Sequence, residues 1–279
     1  MLFSNHAWAW DAGAFLKLEG DARTVALGCV GVVSDGFHNP AVLGLEVRSL
    51  EASYRMLSLD RAVYELGYFQ ALEPEGGMGL LWHRVATSVQ GRDVQGERTE
   101  ELGVSNSAFG IGVARRVCRK LYGGFSGWVF GRDLAGQKGG GFGLDLGALW
   151  RGKRWRFGVA VQHLGGSVSL RNGYWGRESS SRDRIPVTLR LGGSYNFKGV
   201  EVYGEMVREG GRTEVGFGAE LEAGENFVLR AGARSWMGSG WSLTGGFGLR
   251  FPKMSVGYAF ATDPIGAEAG HMLSTRFFF

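Results

Sequence analysis

Residues 141–162 read GFGLDLGALWRGKRWRFGVAVQ. Phe142, Leu144, Leu146, Ala148 and Trp150 take alternate positions, with Gly143, Asp145 and Gly147 between them. After Gly152-Lys153 the alternation restarts. Trp155, Phe157, Val159 and Val161 now stand against Arg154, Arg156, Gly158 and Gln162. Period two describes a strand with one apolar and one polar face. A short glycine-bearing break describes a tight turn into an antiparallel partner.

The unit repeats along the chain. Val187, Leu189, Leu191, Tyr195 and Phe197 oppose Thr188, Arg190, Ser194 and Asn196. Val215, Phe217, Ala219 and Leu221 oppose Glu214, Glu220 and Glu222, and Leu229 and Ala231 oppose Arg230 and Arg234. From about Leu45 the segments fall at 45–57, 61–72, 77–89, 106–118, 121–132, 139–151, 154–165, 185–197, 200–209, 212–223, 226–237, 241–251, 253–262 and 270–279. No segment carries a helical period. The expectation is all-β.

Composition narrows the class. Glycine is 49 of 279 residues, well over twice the usual share of roughly 7%. There are only 5 prolines and 13% aromatics, which excludes a disordered chain. A net charge of +4 gives no reason to invoke nucleic acid. The longest uncharged stretch, residues 235–249, is broken by Gly238-Ser239-Gly240. It is also short of the ~20 residues of a spanning helix. A soluble sandwich alternates too, but its strands are shorter, with a mode of about 5–6 residues. Here aromatics cluster near strand ends, as at Trp150/Trp155, Tyr195/Phe197, Trp236/Trp241 and Phe251. That is how interfacial girdles look. The reading is a transmembrane antiparallel up-and-down β-barrel of about fourteen strands over 45–279, in the bacterial outer membrane.

Loop lengths orient it. The long connections, 90–105, 133–138, 166–184 and 263–269, fall on one end and the tight turns on the other. Short periplasmic turns and longer external loops are the rule for such barrels. Residues 166–184, with Tyr174 and Trp175, would then form an external contact surface. Leu273, Thr275, Phe277 and Phe279 alternate to a terminal aromatic. Phe277 and Phe279 are therefore the expected signal for the barrel-insertion machinery. Outer-membrane lipid is the other expected partner.

Residues 1–9 read MLFSNHAWA. Ala7-Trp8-Ala9 resembles a cleavage site, so the expectation for residues 1–9 is a signal-peptide remnant, with an ordinary N-terminal tail as the alternative. Residues 10–44 do not fit the strand pattern and are expected to form a plug. They contain Phe15-Leu16, Ala22-Arg23, Gly28, Gly31, Asp35 and Asn39-Pro40-Ala41. This segment resembles the N-terminus of the PorV/PorQ family within the FadL-like outer-membrane barrels, although Val42 stands where that family commonly has glycine. The resemblance implies a fourteen-strand barrel whose N-terminal segment is tucked into or under the lumen, with Arg23, Asp35, Asn39, Pro40 and Ala41 as the plug motif. It also implies service in type IX protein secretion, with secretion components or secreted proteins as partners. The alternative, from the wider FadL-like group, is transport of hydrophobic small molecules past the N-terminal segment. That alternative requires an apolar pocket near residues 15–44.

No catalytic motif is present: no G-x-S-x-G, H-E-x-x-H or Walker loop. His6, His38, His83, His163 and His271 have no ligand spacing. No catalytic, cofactor or metal site is expected. Cys29 and Cys118 could pair or could sit apart as small buried residues. By parity Asp145, Arg190, Glu214, Glu220, Glu222, Arg230 and Arg234 face the lumen, with Arg154, Arg156, Glu201, Glu205 and Arg250. They make either a polar conduit or a structural ion-pair core.

Overall fold

The computed structural model describes residues 13–18, 20–58, 60–92, 95–174, 177–235, 240–262 and 269–279. The strands are β1 (Ser49–Leu57), β2 (Arg61–Leu72), β3 (Gly76–Arg92), β4 (Arg98–Cys118), β5 (Leu121–Leu134), β6 (Gln137–Arg151) and β7 (Trp155–Tyr174). There follow β8 (Arg177–Arg184), β9 (Thr188–Phe197), β10 (Val200–Glu209), β11 (Arg212–Glu222), β12 (Phe227–Ser235), β13 (Trp241–Phe251), β14 (Met254–Ala261) and β15 (Gly270–Phe278). Each pairs antiparallel with its sequence neighbour, except that β9 pairs with β7 and β8 only with β7. Ser49 opposite Phe278 joins the last strand to the first. The result is a closed barrel of fourteen strands, with β8 as a hairpin extension. Closure leaves no unpaired edge for lipid to meet.

The faces follow the alternation. Phe142, Leu144, Leu146, Phe157, Leu191, Phe217, Leu229, Leu243 and Leu273 are all exposed on the outer wall. Asp145, Arg190, Glu220 and Arg234 are buried on the inner one. An apolar outer surface of this extent suits lipid rather than water.

The wall is uneven in height. β9 and β10 have ten residues each. β4 has 21 and β7 has 20, which is about 70 Å of strand against an apolar band of about 25 Å. This corrects the loop assignment. Strand pairing continues through most of 90–105 and 166–184, and residues 133–138 contain a two-residue turn at Ala135-Gly136. Outside the membrane both strand faces meet water, so the side-chain period fades while the backbone ladder persists. The parity holds all the same: the tall hairpins stand at the end opposite Phe279. Residues 1–9, Trp175, Trp236 and most of 263–269 lie outside the described residues.

Inside the barrel the N-terminal segment runs from a 3-10 turn, Ala14–Lys17, through α1 (Ala22–Ala26) to a second 3-10 helix, Pro40–Leu45. Asp21 caps α1 by accepting from the backbone N–H of Arg23 and Thr24. Asn39 caps the second turn, with Pro40 at its first position. Wall glycines admit this backbone at van der Waals range. A methyl group at Gly77 would lie on the Leu43 carbonyl oxygen, and one at Gly218 would lie 2.5 Å from the Leu27 oxygen. Part of the glycine excess is thus a close-approach surface.

Candidate functional site

The lumen has two unlike sides. On the β9–β13 side it is charged and fully paired. Glu220 Oε2 accepts from Arg23 Nε at 2.9 Å and from Arg230 Nε at 2.7 Å. Tyr203 OH accepts from Arg23 Nη2. Glu205 Oε1 accepts from Arg190, while Oε2 accepts from the backbone N–H of Gly31 and Val32. Arg234 pairs with Glu214, and Arg156 with Glu201. The bonds of Arg23 to Glu220 and Tyr203, and of Gly31 and Val32 to Glu205, clamp the N-terminal segment to the wall; the other two pairs join strand to strand.

Two charges, Arg154 and Glu222, sit elsewhere than parity suggested, while Arg250 stays at the lumen mouth, 3.9 Å from Glu220. Arg154 falls in the β6–β7 turn and is exposed. Glu222 and Arg250 pair with one another at the exposed end nearest Phe279. A strand's inner-face residues leave the lumen where the strand leaves the barrel.

Asp145 is buried and holds the wall itself. It accepts from Trp128 Nε1 at 2.6 Å, from Ser126 and from the backbone N–H of His163. His163 lies at φ +61°, within the stretch where the β6–β7 register slips twice. Asp145 therefore satisfies a donor that the bulge removes from the ladder.

Asn39 is fully buried. Its Nδ2 donates to Val32 O and to Ala148 O of β6, and its Oδ1 accepts from Ala41 N. Asp35 accepts from Phe37 N and lies 3.4 Å from His38. The Asp21 carboxyl is pushed up by burial, but the Thr24 and Arg23 backbone bonds and the charges of Arg230 and Arg23 hold it below its ordinary value. Burial raises Glu46, beyond what its partner Arg276 restores. Cys29 is buried and Cys118 exposed, and no disulfide joins them.

The β2–β5 side is mostly apolar, with Glu65 and His83 as polar members. Val63 and Phe69 of β2, Leu81 and Val85 of β3, Ala108 and Ala114 of β4, and Trp128 and Phe130 of β5 all point inward. Val168 and Ile185 continue this cluster at the far end. The N-terminal segment fills the track with Phe15, Phe37 and Leu43. Phe15 meets Phe130 edge-on at 6.2 Å, and Phe37 lies 5.5 Å from Trp128. His83 fixes the Phe15 backbone: its Nε2 lies 3.2 Å from Phe15 O and its Nδ1 lies 3.1 Å from Glu65.

Two cavities flank this track. One of about 60 Å³ lies beside His83, Trp128 and Arg190. Another of about 270 Å³ opens among Asp21, Glu46, Glu51 and Arg276. Asp35, Phe37 and Glu65 line both and so form their common wall. Among the described residues no group of three His, Cys, Asp or Glu is placed to hold a metal ion.

The sequence held a signal for the apolar track that strict alternation hides. At Trp128-Val129-Phe130 apolar residues occupy both faces at once: Val129 is exposed outward and its neighbours are buried inward. Such a run marks a strand with two apolar surroundings.

No family model matches the sequence, and no curated protein is detectably similar to it. Solved structures do resemble the fold. The Ralstonia pickettii toluene transporter TbuX superposes with a TM-score of 0.65 at 15% identity, over 95% of this chain and 100% of that one. The Pseudomonas putida toluene transporter TodX does so with a TM-score of 0.67 at 13% identity, over 93% and 97%. The closed fourteen-strand barrel fold is thereby shared with both.

Proposed function

We propose that this chain is an outer-membrane channel for small hydrophobic molecules, with the tall hairpins outside the cell and Phe279 toward the periplasm. The observation that carries the reading is the apolar track on the β2–β5 side, stoppered by Phe15 and Phe37. A water-filled porin has no use for an apolar lining, and a barrel that served only as scaffold would need no two-sided lumen. A hydrophobic solute gains by leaving water for such a surface. For it to pass, the segment carrying Phe15 must shift, and the route then leads past Phe37 into the larger cavity. Two fold neighbours are named as toluene transporters, which supports the same class of cargo. The secretion role implied by the PorV/PorQ resemblance has no comparable support in the lumen or in the comparisons. Phe277 and Phe279 remain the proposed insertion signal.

The test is entry of a hydrophobic fluorescent aromatic, N-phenyl-1-naphthylamine, into intact cells. Cells carrying the protein in the outer membrane should take it up faster than cells without it, and Phe15→Ala should raise the rate further. Equal rates at equal barrel abundance would defeat the proposal.

A further inference from the structure

The periplasmic rim is electrostatically lopsided. The β4–β5, β6–β7 and β9–β10 turns carry Arg119, Lys120, Lys153, Arg154 and Lys198, all exposed. Residues 115–124, 148–158 and 194–200 contain no Asp or Glu. Elsewhere on the same rim, the β2–β3 turn exposes Glu73 and Glu75 and the β11–β12 turn exposes Glu225.

The basic turns form one continuous arc. The strand order β4, β5, β6, β7, β9, β10 makes them neighbours. Arg151 N donates to Lys120 O at 2.8 Å, and Asn196 N donates to Arg154 O at 2.8 Å. Backbone hydrogen bonds thus tie each turn to the next hairpin. On the outer wall directly beside the arc stand Trp150, Trp155, Phe157 and Phe197, all exposed. The Lys120 ammonium lies 5.5 Å from the Trp150 ring centroid, and that of Lys198 lies 5.6 Å from Phe197. The Trp155 and Tyr195 rings are 4.2 Å apart. Aromatic rings of this kind settle at the headgroup level of a bilayer.

The geometry points to a binding surface for anionic phospholipid headgroups on this arc. Headgroup phosphates lie along the row of Lys120, Lys153, Arg154 and Lys198, and acyl chains lie along Trp155 and Phe157. An acidic soluble protein would be drawn by the cations but would leave the bilayer-facing rings unused, so the lipid accounts for both halves of the surface. The inference rests on the membrane-barrel reading above.

The full-length chain is reconstituted in phosphatidylcholine vesicles, and spin-labelled phosphatidylglycerol is compared with spin-labelled phosphatidylcholine. Electron paramagnetic resonance reads the fraction of each probe immobilised at the protein. A close cation favours an anionic lipid by about fivefold. Averaged over the whole boundary, most of which lies away from the arc, the wild type should prefer phosphatidylglycerol by a factor of about 1.5–2. The combined variant Lys120→Gln, Lys153→Gln, Arg154→Gln and Lys198→Gln should lose that preference. Arg48→Gln with Lys253→Gln, elsewhere on the rim, should retain it. No preference in the wild type, an undiminished one in the fourfold variant, or equal loss in the Arg48/Lys253 control would overturn the lipid site. So would binding of polyglutamate in place of the lipid. Far-UV circular dichroism and protease resistance confirm insertion for each variant. A chain that inserts but shows no lipid preference defeats the site alone, whereas one that never inserts defeats the barrel reading and the site with it.

Discussion

Arg23 in the first turn of α1 and Glu220 on β11 form an ion pair 197 residues apart in sequence, with Nε to Oε2 at 2.9 Å. The same oxygen also accepts from Arg230 at 2.7 Å. One carboxylate therefore joins the wall to the segment inside it. Glu220→Ala should cost about 2–4 kcal/mol, because it leaves the buried Arg230 guanidinium beside the half-buried Arg23 one with no carboxylate between them. Arg230→Ala should cost less, about 1.5–3 kcal/mol, since Arg23 still satisfies Glu220. Leu229→Arg, on the outer face, should cost about 2–4 kcal/mol in lipid. Reversible unfolding in vesicles ranks the three. A smaller loss for Glu220→Ala than for Arg230→Ala would count against the shared-carboxylate account.

Gly77→Val should prevent the N-terminal segment from seating. Any side chain there meets the backbone of Leu43, which cannot rotate away. The barrel should still form, because the β2–β3 ladder does not need the glycine. Limited proteolysis should then cut within residues 13–48 in the variant and spare them in the wild type. An equally protected segment would show that the wall glycine is not a seat.

Acid should loosen α1 before it harms the barrel. Asp21 titrates below its ordinary 3.8 in the folded chain. A carboxylate with a depressed folded value lends stability above its unfolded value and loses it as pH falls through the folded one. The protection of the Thr24 and Val25 amides against hydrogen exchange, taken relative to the intrinsic rate at each pH, should therefore fall below pH ~4. Asp21→Asn should remove this pH dependence at a cost of order 1 kcal/mol. Persistence of the same acid transition in the variant would assign it to another group.

Orientation is open to impermeant thiol labelling of intact cells. Ser179→Cys on β8 should react and Lys153→Cys in the β6–β7 turn should not. The reverse pattern would turn the barrel over and place the basic arc outside.

Much of the barrel was legible because lipid outside and polar groups inside write a period of two directly into the sequence. β2, β10 and β13 match their sequence-derived bounds residue for residue. The tall hairpins were not legible, because water on both faces of β3 and β4 erases the period at Gln90–Arg92 and Arg98–Ser105. Charged lumen residues could be read by parity alone, and Asp145, Arg190, Glu220 and Arg234 are buried where parity placed them. Their partners could not be read: Arg23 to Glu220 is a contact between the interior segment and a distant strand. The apolar track escaped notice for a related reason. Phe15, Trp128 and Phe130 form one surface only once the barrel closes around the segment.

The central claim is that the site now filled by Phe15 is where a hydrophobic solute binds. Photolabelling addresses it most directly, using an aromatic diazirine on the protein in isolated outer membranes and mapping the modified residues by peptide mass spectrometry. The account predicts labels on Phe130, Val168 and Ile185 that are lost when excess toluene is present, and stronger labelling there in Phe15→Ala. Labels confined to outer-wall residues such as Val129 and Phe157, unaffected by toluene, would contradict it.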